Sequence, residues 1–305
     1  MGLFNRVRSI LHRFLYLNRI ERRLINNLIL QGKILHQHNI SNKEEILADI
    51  KKAEFRVFSQ WGDDGIIQFL VDYLDISNKT FIEFGVENYQ EANTRFLLLN
   101  NQWKGLVLDG DVKNVNSIIH DEIYWKYDLN AVNAFITKEN INDIILRNGF
   151  EGEIGLLSID IDGNDYWVWE AITVIDPLIV VIEYNAIFRA DRSITVPYQA
   201  HFNRTQAHYS NLYFGASIQA LCELAEMKGY SFIGCTSSGN NAYFVQKTRT
   251  KELVIKSPQE GFVNSFSRES RDKSGKLTYA KNDQRLELIK GEKVINVLNG
   301  QEEVL

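Results

Sequence analysis

Short apolar runs that alternate with stretches of helical length are the feature that most constrains the fold. Five of these runs have the length of strands and span residues 80–86, 105–111, 123–129, 154–162 and 178–185. Strands that alternate with helices favour an α/β domain with a parallel, doubly wound sheet. Residues 217–230 then predict another helix, and residues 231–246 predict an antiparallel hairpin around a Ser-Ser-Gly-Asn turn.

The chain divides into three predicted segments. Residues 1–53 form a basic, amphipathic helical extension, residues 54–247 form the α/β domain, and residues 248–305 form a polar C-terminal extension with one candidate strand within residues 288–298. A mostly parallel, twisted sheet that ends in an antiparallel hairpin is typical of Rossmann-like class I methyltransferases. We therefore expect that fold, preceded by the helical extension.

The composition excludes several classes of protein. The 305 residues include only three prolines and nineteen glycines, which argues against a collagen-like or broadly disordered chain. The sequence contains no run of about eighteen uncharged apolar residues, as a membrane-spanning helix would need. Two cysteines, Cys222 and Cys235, are too few for a disulfide scaffold, and a cytoplasmic protein is expected. The basic N-terminus lacks the small-residue cleavage site of a signal peptide.

The formal net charge of −5 hides an uneven distribution. Residues 1–40 contain seven basic residues against Glu21 alone and so carry +6, which leaves −11 on the remainder. In this basic segment Phe4, Val7, Leu11 and Phe14 recur at helical spacing. Such a helix can dock on the inner face of an anionic membrane or on a glycosyltransferase, or it can pack on its own domain or on a second copy in a homo-oligomer. The acidic remainder argues against nucleic-acid binding.

Acidic residues stand at the end of every predicted strand. They are Glu83, Asp109 and Asp111, Asp128, Asp160 and Asp162, and Glu183. In open α/β sheets ligands bind beyond the carboxyl ends of the strands. Carboxylates gathered at one edge repel one another, and a ligand or a cation usually compensates for that repulsion. The acids therefore predict a binding site at this edge.

The turn after the first run, Glu83 to Asn88, predicts the cofactor class. It has an acid-x-Gly pattern in which Gly85 allows close approach to a ligand. It lacks the Gly-x-Gly-x-x-Gly pattern that holds a dinucleotide pyrophosphate. A nucleoside without phosphates fits better, and S-adenosyl-L-methionine is one. Asp109 or Asp111 would then accept the ribose hydroxyls, and Asp128 would accept the adenine amino group.

The densest group of polar residues is Asp160-Ile161-Asp162-Gly163-Asn164-Asp165. Strand alternation places Asp160 and Asp162 on the same side. With Glu183 and Asn185 they would form an all-oxygen Mg²⁺ or Mn²⁺ site, although the pair could instead supply a general base or bind sugar hydroxyls. The alternative without a ligand is a turn in which these side chains cap the following helix. An EF-hand calcium site is excluded, because its glycine would fall at the sixth position of the loop.

Several of these segments together resemble a known family. SQWGDDGIIQFL, FIEFGVENYQEANTRFLL, VLDGD, LLSIDIDGNDYWVWEAI and IVVIEYN are similar to the FkbM-like S-adenosylmethionine-dependent methyltransferases that occur among surface-polysaccharide biosynthesis proteins. The resemblance covers roughly residues 55–247, with its motifs at 59–64, 83–85 and 160–163. It implies methylation of an oxygen of a sugar or sugar nucleotide in capsule or lipopolysaccharide biosynthesis, with N-methylation left open.

A long polar region, residues 186–214, is a candidate functional loop. Here His208 is the candidate general base for the acceptor hydroxyl, and Arg204 or Tyr209 could bind a sugar or an acidic group. Asn164, Asn185 and Glu183 are further candidate substrate contacts, as is Asn240 in the hairpin turn.

Two other functions remain open from the sequence. Asp-Ile-Asp-Gly-Asn also resembles the motif of haloacid-dehalogenase-like phosphatases, in which Asp160 would be the nucleophile and Asp162 the acid. That motif usually follows the first strand of its sheet, whereas three predicted strands precede it here. The third reading is a non-catalytic member of a polysaccharide assembly that docks through residues 1–40.

Overall fold

The computed structural model of the protein describes residues 2–267 and 269–305, with side chains from Tyr16 onward apart from those of Asn18 and Arg268. The amphipathic pattern formed by Phe4, Val7, Leu11 and Phe14 therefore has its side chains outside the described residues.

Helices and strands alternate through most of the chain. The strands are β1 (Thr80–Phe84), β2 (Lys104–Asp109), β3 (Leu129–Asn133), β4 (Gly152–Ile159), β5 (Ile175–Glu183), β6 (Ile194–Thr195), β7 (Tyr230–Cys235), β8 (Asn241–Gln246), β9 (Lys293–Asn296) and β10 (Gln301–Val304). The helices are α1 (Gly2–Ser41), α2 (Lys43–Ala48), α3 (Asp63–Tyr73), α4 (Arg95–Asn101), α5 (Val112–His120), α6 (Glu122–Lys126), α7 (Ile141–Arg147), α8 (Asp165–Ala171), α9 (Arg204–Ala207), α10 (Ile218–Lys228), α11 (Pro258–Gly261) and α12 (Asp283–Leu288).

The main sheet has seven strands in the order β3-β2-β1-β4-β5-β8-β7. Strands β1 to β5 are parallel, and β8 pairs antiparallel with both β5 and β7. Alternate residues of the central strands point into different cores, so that Leu156 joins one apolar cluster and Leu157 the other. Burial on both faces explains why these strands are continuous apolar runs. The predicted α/β, Rossmann-like class I methyltransferase fold is confirmed, including its final hairpin.

The prediction of a strand at residues 123–129 is wrong. Residues 122–126 form α6, and β3 begins only at Leu129. The side chain of Asp121 caps α6 by accepting a hydrogen bond from the N–H of Ile123, and Lys126 pairs with Glu122 one turn earlier. Asp128 consequently precedes β3, and its carbonyl bonds to Gly105 near the start of β2. It lies at the amino edge of the sheet, opposite the edge where the other acids gather.

Helix α1 packs on the α/β domain through its C-terminal half. Ile25 and Ile29 contact an aromatic cluster made of Phe55, Phe58 and Phe96. His36 lies 2.5 Å from the carboxylate of Asp72. Leu17 and Leu24, on another face of the helix, are more than half exposed. In the described part of the chain no helix is long and apolar enough to span a bilayer. Contact of residues 1–40 with a membrane, a glycosyltransferase or a second copy stays a prediction.

The C-terminal segment packs on the long loop after β5. Strands β9 and β10 form a small antiparallel sheet with β6, in the order β10-β9-β6. Ile289 and Val294 are buried in one cluster with residues of the loop, namely Ile187, Phe188, Ile194, Val196, Phe202, Leu212, Tyr213 and Phe214. The candidate strand within residues 288–298 is confirmed as β9, and it helps to form a second layer beside the carboxyl edge of the main sheet.

Gly85 joins β1 to β4 by a close backbone approach. Its φ is +71°, and a methyl group there would overlap the carbonyl oxygen of Asp160. Gly149 also has a positive φ, +79°, but faces open space. We expect Gly149→Ala to lower the free energy of unfolding by about 1–2 kcal/mol, the cost of a left-handed conformation. Gly85→Ala should lower it by about 4 kcal/mol or more. Urea unfolding measures both, and equal losses would contradict this account.

Candidate functional site

A cavity of about 830 Å³ lies at the carboxyl ends of β1, β2, β4 and β5. The loop after β3 also lines it. Ten of the predicted site residues line it: Glu83, Gly85, Asp109, Asp111, Asp160, Asp162, Asn164, Glu183, Arg204 and Asn240. Parallel strands bring their carboxyl ends to one edge, which is why residues so far apart in the sequence meet here.

Glu83 holds the loop that follows β1. Its carboxylate accepts hydrogen bonds from the N–H of Asn93 at 2.8 Å and from the N–H of Thr94 at 3.0 Å. Burial raises the pKa of Glu83 to about 7, although these hydrogen bonds favour its ionised form. Glu83 therefore shapes the cavity wall by fixing the backbone at Asn93 and Thr94.

Asp109 and Asp111 flank Gly110 at the end of β2. Asp109 is buried and accepts hydrogen bonds from the N–H groups of Glu87 and Asp111, each at 2.8 Å. Asp111 is exposed, and one of its oxygens caps α5 by accepting from the N–H of Lys113 at 2.8 Å. Asp109 thus joins the loops after β1 and β2, while Asp111 presents a solvent-accessible carboxylate to the cavity.

Two further buried acids bind backbone N–H groups of their own turns. Asp165 accepts from Ile161 and Gly163, both at 2.8 Å, and so fixes the turn that carries Asp160 and Asp162. Asp64 accepts from Val57, Phe58 and Ser59, and so fixes the segment that leads into α3. Burial raises the pKa of each carboxyl to about 6. The motif at residues 59–64 is therefore a structural turn.

The remaining acids form a cluster of carboxylates made of Asp160, Asp162 and Glu183. One oxygen from each lies within 4.8 Å of the others. Burial, and then the charges of neighbouring acids, raise the pKa values of Asp160 and Glu183 well above their ordinary range. Glu183 Oε2 is buried without a hydrogen-bond partner among the described residues. Three carboxylates at this spacing, one of them with an unpartnered oxygen, fit a hard divalent cation such as Mg²⁺ or Mn²⁺.

Arg204 is the cation that contacts this cluster. Its Nη1 lies 2.7 Å from Asp162 Oδ1, and its Nε donates to the carbonyl of Asn211 at 2.8 Å. The guanidinium carbon lies 3.8 Å from the centre of the Phe214 ring, which holds the side chain in place. Asp162 itself has a φ of +57°, a left-handed conformation that is uncommon outside glycine.

Two asparagines of the cavity were predicted as substrate contacts. Asn164 donates to the carbonyl of Gln199 at 2.7 Å, and its Oδ1 is buried without a partner in the described structure. Asn240 accepts from the Thr236 hydroxyl at 2.9 Å.

Five predicted site residues do not line this cavity: Asn88, Asp128, Asn185, His208 and Tyr209. Asn185 is buried and donates to the carbonyls of Leu212 and Phe214, so that it holds the long loop instead. The Nδ1 of His208 lies 2.7 Å from the Ser210 hydroxyl, its Nε2 lies 3.9 Å from Glu292, and its ring lies beside Tyr209. The assignment of His208 as general base is therefore not supported by its position.

Sequence reasoning missed several residues of the cavity. Glu269 and Arg271 come from the C-terminal segment, and Phe135 from the loop after β3. Glu269 accepts from the Asn211 side chain at 3.1 Å, and Arg271 Nη2 lies 3.2 Å from Glu269. Nothing local marks Glu269 or Arg271, because only tertiary packing brings them here. Phe135 is half exposed and follows the true third strand, so correct placement of β3 would have indicated it.

Comparison with known proteins gives only distant structural similarities. No protein-family model matches the sequence, and no curated protein matches it significantly. The N-terminal domain of EvdMO1 with SAH bound aligns at 10% identity and a TM-score of 0.42, over 68% of this chain and 94% of that domain. The structure of the same domain in the presence of SAH and D-fucose aligns at 9% identity and a TM-score of 0.38, again over 68% of this chain and 94% of that domain. An O-methyltransferase from Bacillus cereus in complex with SAH aligns at 14% identity and a TM-score of 0.39, over 70% of this chain and 90% of that protein.

The raised pKa values predict how the acid cluster affects stability. When a carboxyl has a higher pKa in the folded protein than in the unfolded chain, the folded protein loses stability as the pH rises from about 4.5 through that higher pKa. The neutral variant Glu183→Gln should therefore be more stable than the wild type at pH 8, and its melting temperature should fall less between pH 5 and pH 8. Each pKa unit removed corresponds to about 1.4 kcal/mol.

Differential scanning fluorimetry at several pH values measures the effect. Glu151→Gln is the control, because Glu151 is exposed and lies outside the cavity. If Glu183→Gln is less stable than the wild type at pH 8, repulsion among Asp160, Asp162 and Glu183 does not destabilise the fold, and the prediction is wrong.

Proposed function

We propose that the protein is an S-adenosylmethionine-dependent methyltransferase that methylates a hydroxyl of a sugar or sugar nucleotide. The observation that carries the proposal is the division of one cavity into two parts. The ends of β1 and β2 and the loop after β3 provide one part, and the Asp160–Asp162–Glu183 cluster at the ends of β4 and β5 provides the other. The first part suits a nucleoside and the second a hydroxyl that must lose its proton.

The electrostatics of the cavity favour this cofactor. The described lining contains nine carboxylates (Glu83, Glu87, Glu91, Asp109, Asp111, Asp160, Asp162, Glu183 and Glu269) against two arginines, each of them paired with one of these acids. Such a cavity attracts a positively charged sulfonium cofactor and repels a dinucleotide pyrophosphate. Asp111 would accept the ribose hydroxyls, because both oxygens of Asp109 already accept from backbone N–H groups. Phe135, rather than Asp128, would contact the adenine, by stacking.

The acceptor would lie against the acid cluster. Asp160, Asp162 and Glu183 would hold Mg²⁺ or Mn²⁺, which lowers the pKa of a hydroxyl bound to it. Without the metal, the ionised carboxylate of Asp160 or Glu183 would accept the hydroxyl proton instead, the role expected of His208, and a raised pKa makes it a stronger base. The oxygen then bonds to the methyl carbon as the carbon–sulfur bond breaks, leaving neutral S-adenosylhomocysteine. Positioning of donor and acceptor supplies much of the rate.

The resemblance in sequence supports a carbohydrate acceptor in capsule or lipopolysaccharide biosynthesis. Arg204, Asn164 and Asn240 line the acceptor side and offer hydrogen bonds to hydroxyl groups. The phosphatase alternative is less favourable, because Asp160 follows the fourth strand along the chain and not the first. A non-catalytic protein is distinguished by cofactor binding, since it would bind neither S-adenosylmethionine nor S-adenosylhomocysteine.

Cofactor binding can be tested with two matched aspartates. Asp111 and Asp121 each cap a short helix, but only Asp111 lines the cavity. Replacement by alanine should cost about 1 kcal/mol of stability at either position. Only Asp111→Ala should weaken S-adenosylhomocysteine binding, by about tenfold, the loss of one charge-assisted hydrogen bond. Isothermal titration calorimetry measures this. No binding by the wild-type protein would refute the cofactor, and equal affinities of the two variants would refute the role of Asp111.

The proposed metal site makes a separate prediction. Mn²⁺ should raise the melting temperature of the wild-type protein and should have little effect on Asp160→Asn, because a neutral amide is a poor ligand for a hard cation. Asp143→Asn is the control, since Asp143 is an exposed residue of α7 paired with Arg147. An equal shift in Asp160→Asn, or full methyl transfer in excess chelator, would exclude the metal and leave the carboxylates as the base.

A further inference from the structure

A second cavity, of about 630 Å³, lies on the C-terminal layer. It is bounded by the turn at residues 186–191, by α11 and by the start of α12. None of its lining residues belongs to the reaction cavity. Its charged lining consists of two arginines, Arg189 and Arg285, and two aspartates, Asp191 and Asp283, and its polar lining adds Gln259, Asn264 and Asn282.

Arg285 differs from the arginines of the reaction cavity in having no counter-ion. It is only 8% exposed. Its Nη1 and Nη2 donate to the carbonyls of Ser267 and Ser265, at 2.9 and 3.1 Å. Its Nε is buried without an acceptor, and no carboxylate of the described residues forms an ion pair with it. Burial of a charge without a partner is costly, and an anion that entered the cavity would offset that cost.

Arg189 provides a second guanidinium to the same cavity. Its Nη2 lies 2.5 Å from Asp283 Oδ1, and its side chain is half exposed. Arg189 has a φ of +59° and Asn282, also in the lining, has a φ of +47°. Left-handed conformations at residues other than glycine cost free energy, and they concentrate at ligand sites. Asn282 immediately precedes Asp283, so that this backbone conformation sets where the Arg189–Asp283 pair lies.

We propose that this cavity binds the phosphate group of a phosphorylated small molecule, with Arg285 and Arg189 as its ligands. The planar fork of a guanidinium matches the oxygens of phosphate. The volume lies within the range of small-molecule sites and exceeds what a bare anion fills. Because the two cavities share no lining residue, the site does not depend on the methyltransferase function. Asp283 competes with the ligand for Arg189.

The test is calorimetry on the full chain with three probes: inorganic phosphate, pyrophosphate and a sugar 1-phosphate. Tighter binding of the sugar 1-phosphate than of inorganic phosphate is expected, because the sugar fills the rest of the cavity. Arg189→Gln should weaken binding by about tenfold, and Asp283→Asn should strengthen it, because the first removes a ligand and the second removes its competitor. A role confined to holding the fold would not produce effects of opposite sign.

Arg285→Lys keeps the charge but loses the fork, and it should also weaken binding by about tenfold or more. Should this variant fail to fold, the two substitutions at exposed positions still decide the question. Arg192→Gln is the control, because Arg192 pairs with Glu303 outside this cavity. The proposal is overturned if no probe binds, if Arg192→Gln weakens binding as much as Arg189→Gln, or if Asp283→Asn does not strengthen it.

Discussion

Hydrogen bonds from backbone N–H groups to buried carboxylates organise the carboxyl edge of the sheet. Glu83, Asp109 and Asp165 each bind two N–H groups of the loops that follow β1, β2 and β4. A charged acceptor makes a stronger bond than a neutral one, and burial makes its loss more costly. Side chains from the strand ends and helix starts thus help to fix these loops, beside the apolar packing of Val86, Tyr89 and Ala92 in the loop after β1.

The same bonds separate acids with structural roles from acids that remain free for a ligand. Once Glu83, Asp109 and Asp165 are committed to the backbone, their charges are partly neutralised by oriented N–H dipoles. Asp160 and Glu183 receive no such neutralisation from the described residues, and they repel each other and Asp162. Arg204 offsets part of that repulsion from one side only. The acids that lack such neutralisation therefore lie at the ends of β4 and β5, where the acceptor and a cation are proposed to bind.

Much of the fold could be predicted because burial on both faces leaves a clear pattern. The runs that became β1, β2, β4 and β5 are continuous and apolar, as expected of parallel strands buried on both faces. Residues 123–129 misled because aromatic and β-branched residues are typical of strands. In the structure Tyr124 and Tyr127 pack against one core while Trp125 is 75% exposed, which is the spacing of a helix. Asp128 was therefore predicted at the carboxyl edge of the sheet, whereas it lies at the amino edge.

The site was predictable only as far as strand ends determine it. Glu83, Asp109, Asp160 and Glu183 face the cavity because β1, β2, β4 and β5 deliver them there. Residues of the long loop could not be placed in this way. His208 and Arg204 are four positions apart, yet the cap provided by Asn203 on α9 and the bonds to Ser210 direct them to different surroundings. Glu269 and Arg271 reach the cavity through tertiary bonds to Ser210 and Asn211 of the long loop, which no local pattern records.

The pairing of β9 with β6 has a consequence for biosynthesis. The seven strands of the main sheet are complete at Gln246, well before the ribosome has added the residues that form β9 and β10. A nascent chain can therefore fold its sheet and gather its acids while the wall that holds Glu269 and Arg271 is still missing. Glu269 and Arg271 are added only after every strand of the main sheet, so that the order of translation separates synthesis of the sheet from completion of its site.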